Sequence, residues 1–340
     1  MKTVVWQGPG VMTLENQPEP EATPGVVVVR VVAAGICGSD LTAFTGRMGI
    51  SLPGQIRGHE FSGVVISSTP ENADWVGVPV AVNPLLSCNT CRACRRGDDN
   101  QCAEQVSIGI QRPGGFAELA AVPVTNLVAL TPNVDFVAAA TAEPLADAIH
   151  AVRLGLSSGP AEQALVIGAG SIGTLLIASA RLLGVTDIVV LDPDTRRHDA
   201  AISAGGTTIF DNRDDVNGYF ATNPLGGADL VFDVVGTPGT RHDAVQWTNR
   251  GGTTVMVGLH EDTADLSWRD IIRREITLKG SSASNRNDFR TAADWLNNGL
   301  IELPAWRADT LENAPAIFTT MTNGSRPSSL EKVMLMPAPN

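Results

Sequence analysis

Basic residues are scarce in this chain. Lysine and arginine number 24 against 36 aspartates and glutamates, a formal charge of −12. A surface of that sign repels phosphate backbones, so nucleic acid is not expected as a partner. Long uncharged apolar runs are missing too. The most apolar early stretch, Gly25 to Gly38, is valine-rich and broken by Arg30, which predicts a buried strand and not a membrane span. The start, Met1-Lys2-Thr3-Val4-Val5-Trp6-Gln7-Gly8, has no apolar signal core and no cleavage signal, so a cytoplasmic protein without membrane association is expected. Aromatics make up 5% of residues, with Tyr219 the single tyrosine, so a phenol can act at one place only. Neither an internal repeat nor a low-complexity segment is present. Cysteines number five, and in a reducing compartment closely spaced cysteines bind metal more often than they oxidise.

What is present suits a large globular chain. At 340 residues, 43% apolar and 18% charged, about two domains with substantial cores are expected. Residues 1 to about 145 are rich in Val, Gly and Pro. Short β-like runs at 26–33, 63–67 and 76–82 are separated by turn signals such as Thr23-Pro24-Gly25 and Leu52-Pro53-Gly54. This predicts a twisted antiparallel, partly barrel-like fold. Near Pro144 the pattern changes to apolar strands alternating with amphipathic helices: 164–167, helix 172–183, 187–191, helix 195–204 and 207–209. It continues with 230–235, helix 240–248, 253–257 and 276–279. Such alternation predicts a doubly wound parallel sheet over residues 148–282. The tail, 283–340, is expected to pack back onto the first domain, residues 1–147.

Four cysteines fall within fifteen residues, Cys88-x2-Cys91-x2-Cys94-x7-Cys102. Four thiolates close a zinc site and hold a loop, here about 84–104, while Arg92, Arg95 and Arg96 in the same loop offset the cluster's charge. A nucleic-acid zinc ribbon conflicts with the acidic chain. The fifth, Cys37, stands upstream of Gly58-His59-Glu60. A Cys with a His and a carboxylate leaves a zinc position open for chemistry. A second carboxylate, Glu143, lies at the junction of the two domains, where a cleft is expected.

Gly168-x-Gly170-x-x-Gly173 follows an apolar run and opens a helix, and Asp192 lies nineteen residues past Gly173 at the end of the next strand. That context makes it a dinucleotide fingerprint. Gly168 permits the tight turn, Gly170 lets backbone approach a pyrophosphate, and Gly173 lets helix pack on sheet. Asp192 would accept the ribose hydroxyls and repel a 2′-phosphate, which favours NAD. Arg196 and Arg197 close behind argue for NADP, and Asp194 partly offsets them.

With these motifs in place, the chain resembles the zinc-dependent medium-chain dehydrogenases, in the branch of sorbitol, threonine and butanediol dehydrogenases. The likeness runs nearly end to end through Gly35-Ile36-Cys37-Gly38-Ser39-Asp40, Gly58-His59-Glu60-Phe61-Ser62-Gly63, the four-Cys lobe, Gly114-Gly115-Phe116-Ala117-Glu118, Glu143-Pro144-Leu145 and the glycine fingerprint. The resemblance implies a GroES-like catalytic domain, a Rossmann cofactor domain and two zinc ions per subunit. By it, Cys37, His59 and Glu60 or Glu143 bind the catalytic zinc, Asp40 orients His59, and Ser39 takes the substrate proton. Ile172, Asp192 and Arg197 match cofactor positions, and Val257-Gly258-Leu259 and Ser281-Ser282-Ala283 match the nicotinamide end. A homodimer or homotetramer acting on a small alcohol or ketone is implied.

The chain departs from that family where a proton-relay His and a sorbitol-reading Tyr often stand, with Thr42 and Ala43, and where an Arg touches polyol, with Ala283. The expected reaction is reversible oxidation of a secondary alcohol or vicinal diol to a ketone, hydride passing to NAD. A polyol or threonine-type dehydrogenase is the alternative. A zinc-binding structural protein on the same scaffold is the non-enzymatic one.

Overall fold

A computed structural model of the chain describes residues 1–50, 52–224, 226–303, 305–323 and 332–337. It divides into two compact units, Met1–Pro144 with Asn285–Asn340, and Leu145–Ser284.

The first unit is built on the strand Val26–Gly35, whose valines are buried almost continuously, with Arg30 exposed. Branched side chains favour extended backbone, and burial on both faces suits an unbroken apolar run. This strand pairs antiparallel with Glu60–Ser67 and with Leu119–Pro123. At its C-terminal end it takes on Lys332–Leu335 from the far end of the chain. That last strand lies parallel to Trp306–Asp309. The stretch expected at 76–82 is extended only over Pro79–Val82, because Val76 and Gly77 form a turn in which Gly77 takes a left-handed φ of 87°. Inside, Phe318 meets Phe116 with ring centroids 6.0 Å apart and Phe44 at 5.6 Å.

The second unit is a six-stranded, all-parallel sheet of Gln163–Ile167, Asp187–Leu191, Thr208–Phe210, Ala228–Asp233, Thr248–Met256 and Thr277–Gly280. Counted in chain order, its strands lie third, second, first, fourth, fifth, sixth. That is the doubly wound arrangement, with the order reversing between the first and fourth strands. The helical stretch expected at 195–204 is a 3-10 turn, Thr195–Arg197, followed by the helix His198–Ser203. Among the described residues, no helix is long and apolar enough to cross a membrane.

Backbone crowding decides which glycines are required. A Cβ on Gly63 would collide with the Arg30 carbonyl and approach Val29, whereas one on helical Gly218 meets nothing within 4 Å. Gly63→Ala is expected to cost about 1–3 kcal/mol through overpacking. Gly218→Ala is expected to gain roughly 0.5–1 kcal/mol through reduced chain entropy. Urea denaturation of both variants measures this, and shifts of the same sign would contradict the packing described.

Candidate active site

Strand register brings the metal-type side chains together. Gly35 pairs with Glu60, and Ala34 with Phe61. The residues just beyond this end of the ladder, Cys37 two residues past one strand and His59 just before the other, therefore meet. One ligand atom each of Cys37, His59 and Glu60 falls within 4.8 Å of the others. Cys37 precedes the helix Gly38–Phe44, whose third residue, Asp40, reaches back to accept the Cys37 N–H at 3.1 Å. Asp40 also faces His59 Nδ1 at 3.7 Å, and Ser39 Oγ lies 3.4 Å from His59 Nε2. Glu143 sits in the first turn of the helix Ala142–Leu156 and stands outside the mutual 4.8 Å set, although its charge acts on His59.

The electrostatics call for a cation. Desolvation first, and the Glu60 charge second, push the Cys37 thiol up to about 12. Burial opposes a charged His59, but Asp40, Glu143 and Glu60 outweigh it and raise its pKa. The sequence reading missed two basic side chains here, Arg57 and Lys332. Arg57 is fully buried with Nη2 3.2 Å from Asp40 Oδ1. Lys332 Nζ lies 2.5 Å from Glu60 Oε2. The pair crosses over Gly35, where a Cβ would collide with the Glu60 carboxylate and come within 2.8 Å of Lys332 Cε. With Cys37 as thiolate and His59 neutral, the forms in which they would hold a metal, four anions (Cys37, Asp40, Glu60 and Glu143) face two cations, Arg57 and Lys332. The shortfall equals the charge of one divalent ion. His59 Nδ1, buried and lacking a hydrogen bond among the described residues, faces a carboxylate in the way an orienting partner faces a metal-bound imidazole. The donor set fits zinc.

The cysteine lobe fits a closed zinc site. Its four sulfurs lie within 4.8 Å of one another. Cys91 and Cys94 Sγ are 3.5 Å apart and Cys88 and Cys94 Sγ 3.9 Å. A tetrahedron of zinc–sulfur bonds has edges of about 3.8 Å. The Cys91 and Cys94 N–H groups donate to Cys88 and Cys91 Sγ at 3.3 and 3.5 Å. Of the arginines expected to offset the cluster, Arg95 donates to the Thr90 carbonyl and Arg96 pairs with Asp98.

The fingerprint glycines lie at the turn and at the start of the helix that follows the first strand of the parallel sheet. Gly168 turns with φ +100°, and a Cβ on Gly173 would strike the Gly168 carbonyl. Gly170 caps the helix Ser171–Leu182 with no side-chain hydrogen bond and has almost open space beside it. N–H groups at such a helix start donate to an anion, so the cradle fits a pyrophosphate. Ile172, in the first turn, is half-buried. Asp192 is buried and accepts the Ala169 and Asp194 N–H groups at 2.7 and 2.8 Å, with Arg197 Nη1 at 3.1 Å. Arg196 pairs with Asp194 at 2.6 Å and its hydrogen bonds bring that carboxyl to about 2. Both arginines that argued for NADP thus carry a carboxylate partner. Val257, Gly258 and Leu259 follow the fifth strand, with Leu259 88% exposed. Ser281, Ser282 and Ala283 follow the sixth, and Ala283 takes a left-handed φ of 51°.

Comparison with known proteins agrees with this geometry. A family model for the alcohol dehydrogenase GroES-like domain matches residues 23–132, and one for zinc-binding dehydrogenases matches residues 171–298. The chain is 30% identical over 304 residues to L-galactonate-5-dehydrogenase of Escherichia coli K12, covering 88% of each. A zinc-binding dehydrogenase of Sinorhizobium meliloti 1021 bound to NADP superposes with a TM-score of 0.89, 30% identity and 99% of each chain covered. The 2R,3R-butanediol dehydrogenase of Bacillus subtilis superposes at 0.88, with 28% identity and 99% of each chain covered. The chain belongs to the zinc-dependent medium-chain dehydrogenases, the alcohol dehydrogenase family. Within it the chain falls in the sorbitol, threonine and butanediol branch and is an oxidoreductase with zinc and a nicotinamide dinucleotide as cofactors.

Asp192→Ser removes the charge expected to repel a 2′-phosphate and frees Arg197. The NAD-over-NADP ratio of kcat/KM is expected to fall by about tenfold or more, the scale of a charged hydrogen bond. An unchanged ratio would remove Asp192 from the cofactor site.

Proposed function

We propose that this dehydrogenase oxidises a secondary alcohol or vicinal diol to the ketone, with NAD as hydride acceptor. The convergence of Cys37, His59 and Glu60 within 4.8 Å carries the reading. Cys37, His59 and either Glu60 or Glu143 would hold the catalytic zinc, and Cys88, Cys91, Cys94 and Cys102 the structural one. Bound there, zinc supplies Lewis acidity toward a hydroxyl and the dinucleotide supplies the hydride acceptor.

The chain's own residues do the rest. Ser39 Oγ, beside His59 Nε2, takes the hydroxyl proton. Thr42 directs its hydroxyl at the Gly38 carbonyl, 3.1 Å away, so the proton leaves Ser39 by water or the cofactor ribose and not through that side chain. Ala43 is fully buried and carries no hydroxyl to offer a substrate. Asp192 selects NAD by its charge, with Arg197 paired to it. Gly168, Gly170 and Gly173 seat the pyrophosphate. Ile172, Val257 to Leu259 and Ser281 to Ala283 line the cofactor.

The secondary-alcohol reading draws support from relatives whose names specify an internal hydroxyl, at C5 of galactonate and in 2,3-butanediol. A sugar acid or polyol is the second reading, favoured by the galactonate enzyme. A cytoplasmic homodimer or homotetramer completes the proposal. The sixth strand of the parallel sheet pairs on one side only among the described residues, and nearby Trp268 and Ile272 are 66% and 72% exposed. An unpaired edge with apolar cover missing invites a second copy.

Metal analysis of the purified chain is expected to give about two zinc per subunit. Cys37→Ser is expected to lose one zinc and all turnover, and Cys94→Ser to lose the other and lower the melting temperature. One zinc or none in the native chain, or turnover that survives complete chelation, would refute the proposal. Separately, kcat/KM for 2-butanol and 2,3-butanediol is expected to exceed that for sorbitol. A large preference for sorbitol would promote the polyol reading.

A further inference from the structure

No fully buried side chain among the described residues is larger than Arg57. It lies two positions before His59 in the sequence, and its guanidinium turns to Asp40 and to the Met48 sulfur, 3.9 Å from Nη2. Asp40 divides its carboxylate. Oδ2 accepts the Cys37 N–H at 3.1 Å. Oδ1 receives Arg57 Nη2 at 3.2 Å while facing His59 Nδ1 at 3.7 Å. The guanidinium and the imidazole face the same oxygen, and of the two only the guanidinium is within hydrogen-bond reach of it. At 3.7 Å the imidazole N–H is beyond hydrogen-bond reach.

We propose that Arg57 is a positioning residue for the metal-binding imidazole. By drawing Asp40 Oδ1 to itself it keeps Asp40 from closing on His59, and so limits how strongly His59 donates to an ion at Cys37. The buried positive charge acts in the same direction, since it opposes a cation nearby. A site built this way holds its zinc less tightly than Cys37, His59 and Asp40 alone would and leaves the ion more electron-poor. A merely structural ion pair makes the opposite forecast, because removing one partner of a buried pair loosens whatever it supports. The inference rests on the reading that Cys37 and His59 hold zinc.

The test follows zinc leaving the holoenzyme into excess dipicolinate, in wild type, Arg57→Met, Arg57→Lys and Asp40→Asn. In Arg57→Met, release of one of the two zinc ions is expected to slow by about tenfold, the lower end of what orienting partners contribute to metal affinity. Release of the cysteine-lobe zinc is expected to stay unchanged. The cobalt-substituted variant is expected to show a displaced ligand-field band, with kcat reduced and KM for NAD little altered. Arg57→Lys keeps the charge but loses the fork, so its release falls between the two. In the Asp40→Asn background, Arg57→Met is expected to add nothing. Release from Arg57→Met at or above the wild-type rate, with an unshifted cobalt band, overturns the inference while leaving the proposed function standing. So do additive effects in the Asp40→Asn background. Should Arg57→Met not fold, release from Arg57→Lys decides, and a rate equal to or faster than wild type overturns it. A wild type that holds zinc only in the cysteine lobe overturns both readings.

Discussion

The pairing of Gly35 with Glu60 is the constraint on which the candidate active site depends. An antiparallel ladder fixes which residues lie just beyond its end, and here those are Cys37 and His59, a metal-type donor next to each strand. A one-residue slip would turn every side chain of Glu60–Ser67 to the opposite face and carry Glu60 away from Cys37. A side chain at Gly35 would also force the Glu60 carboxylate and the Lys332 stem, which cross above it, to shift. The same position thus sets register and leaves a passage for a buried ion pair.

Much of this was legible in the sequence because the signals were local. The cysteine lobe declares itself by spacing within fifteen residues, and its sulfurs do meet. The fingerprint reads as a strand, a glycine turn and a helix in immediate succession, and the parallel sheet follows from the alternation of elements. Cys37 with His59 was harder, since a lone cysteine or histidine is more often core than ligand. Resemblance, not spacing, carried that step. Arg57 and Lys332 were not legible at all. An arginine or lysine in a sequence defaults to the surface, and only tertiary pairing shows otherwise. Asp40 is seventeen residues from Arg57, and Glu60 is on a strand remote in sequence from Lys332. The ends of elements moved for local reasons, as where the turn at Val76 and Gly77 delays the strand Pro79–Val82.

Across both units, acidic side chains that matter to chemistry are seldom left alone. Asp40 has Arg57, Glu60 has Lys332, Asp192 has Arg197 and Asp194 has Arg196. A buried carboxylate is costly unless compensated, and the three buried ones, Asp40, Glu60 and Asp192, are each matched by a nearby guanidinium or ammonium. The arginines behind the fingerprint show that a count of basic residues is no measure of free positive charge: both are paired with carboxylates.

The strand Lys332–Leu335 has a bearing on how a ribosome delivers this protein. It joins the central strand of the first unit although some three hundred residues separate them. Nascent domains fold as units while synthesis continues, so the six-stranded unit, contiguous from Leu145 to Ser284, can condense during elongation. The opening segment must wait for its last strand. Its counter-cation at Glu60, Lys332, is made only after the whole six-stranded unit, so a product truncated before Lys332 would possess the nucleotide fold yet lack the partner of Glu60.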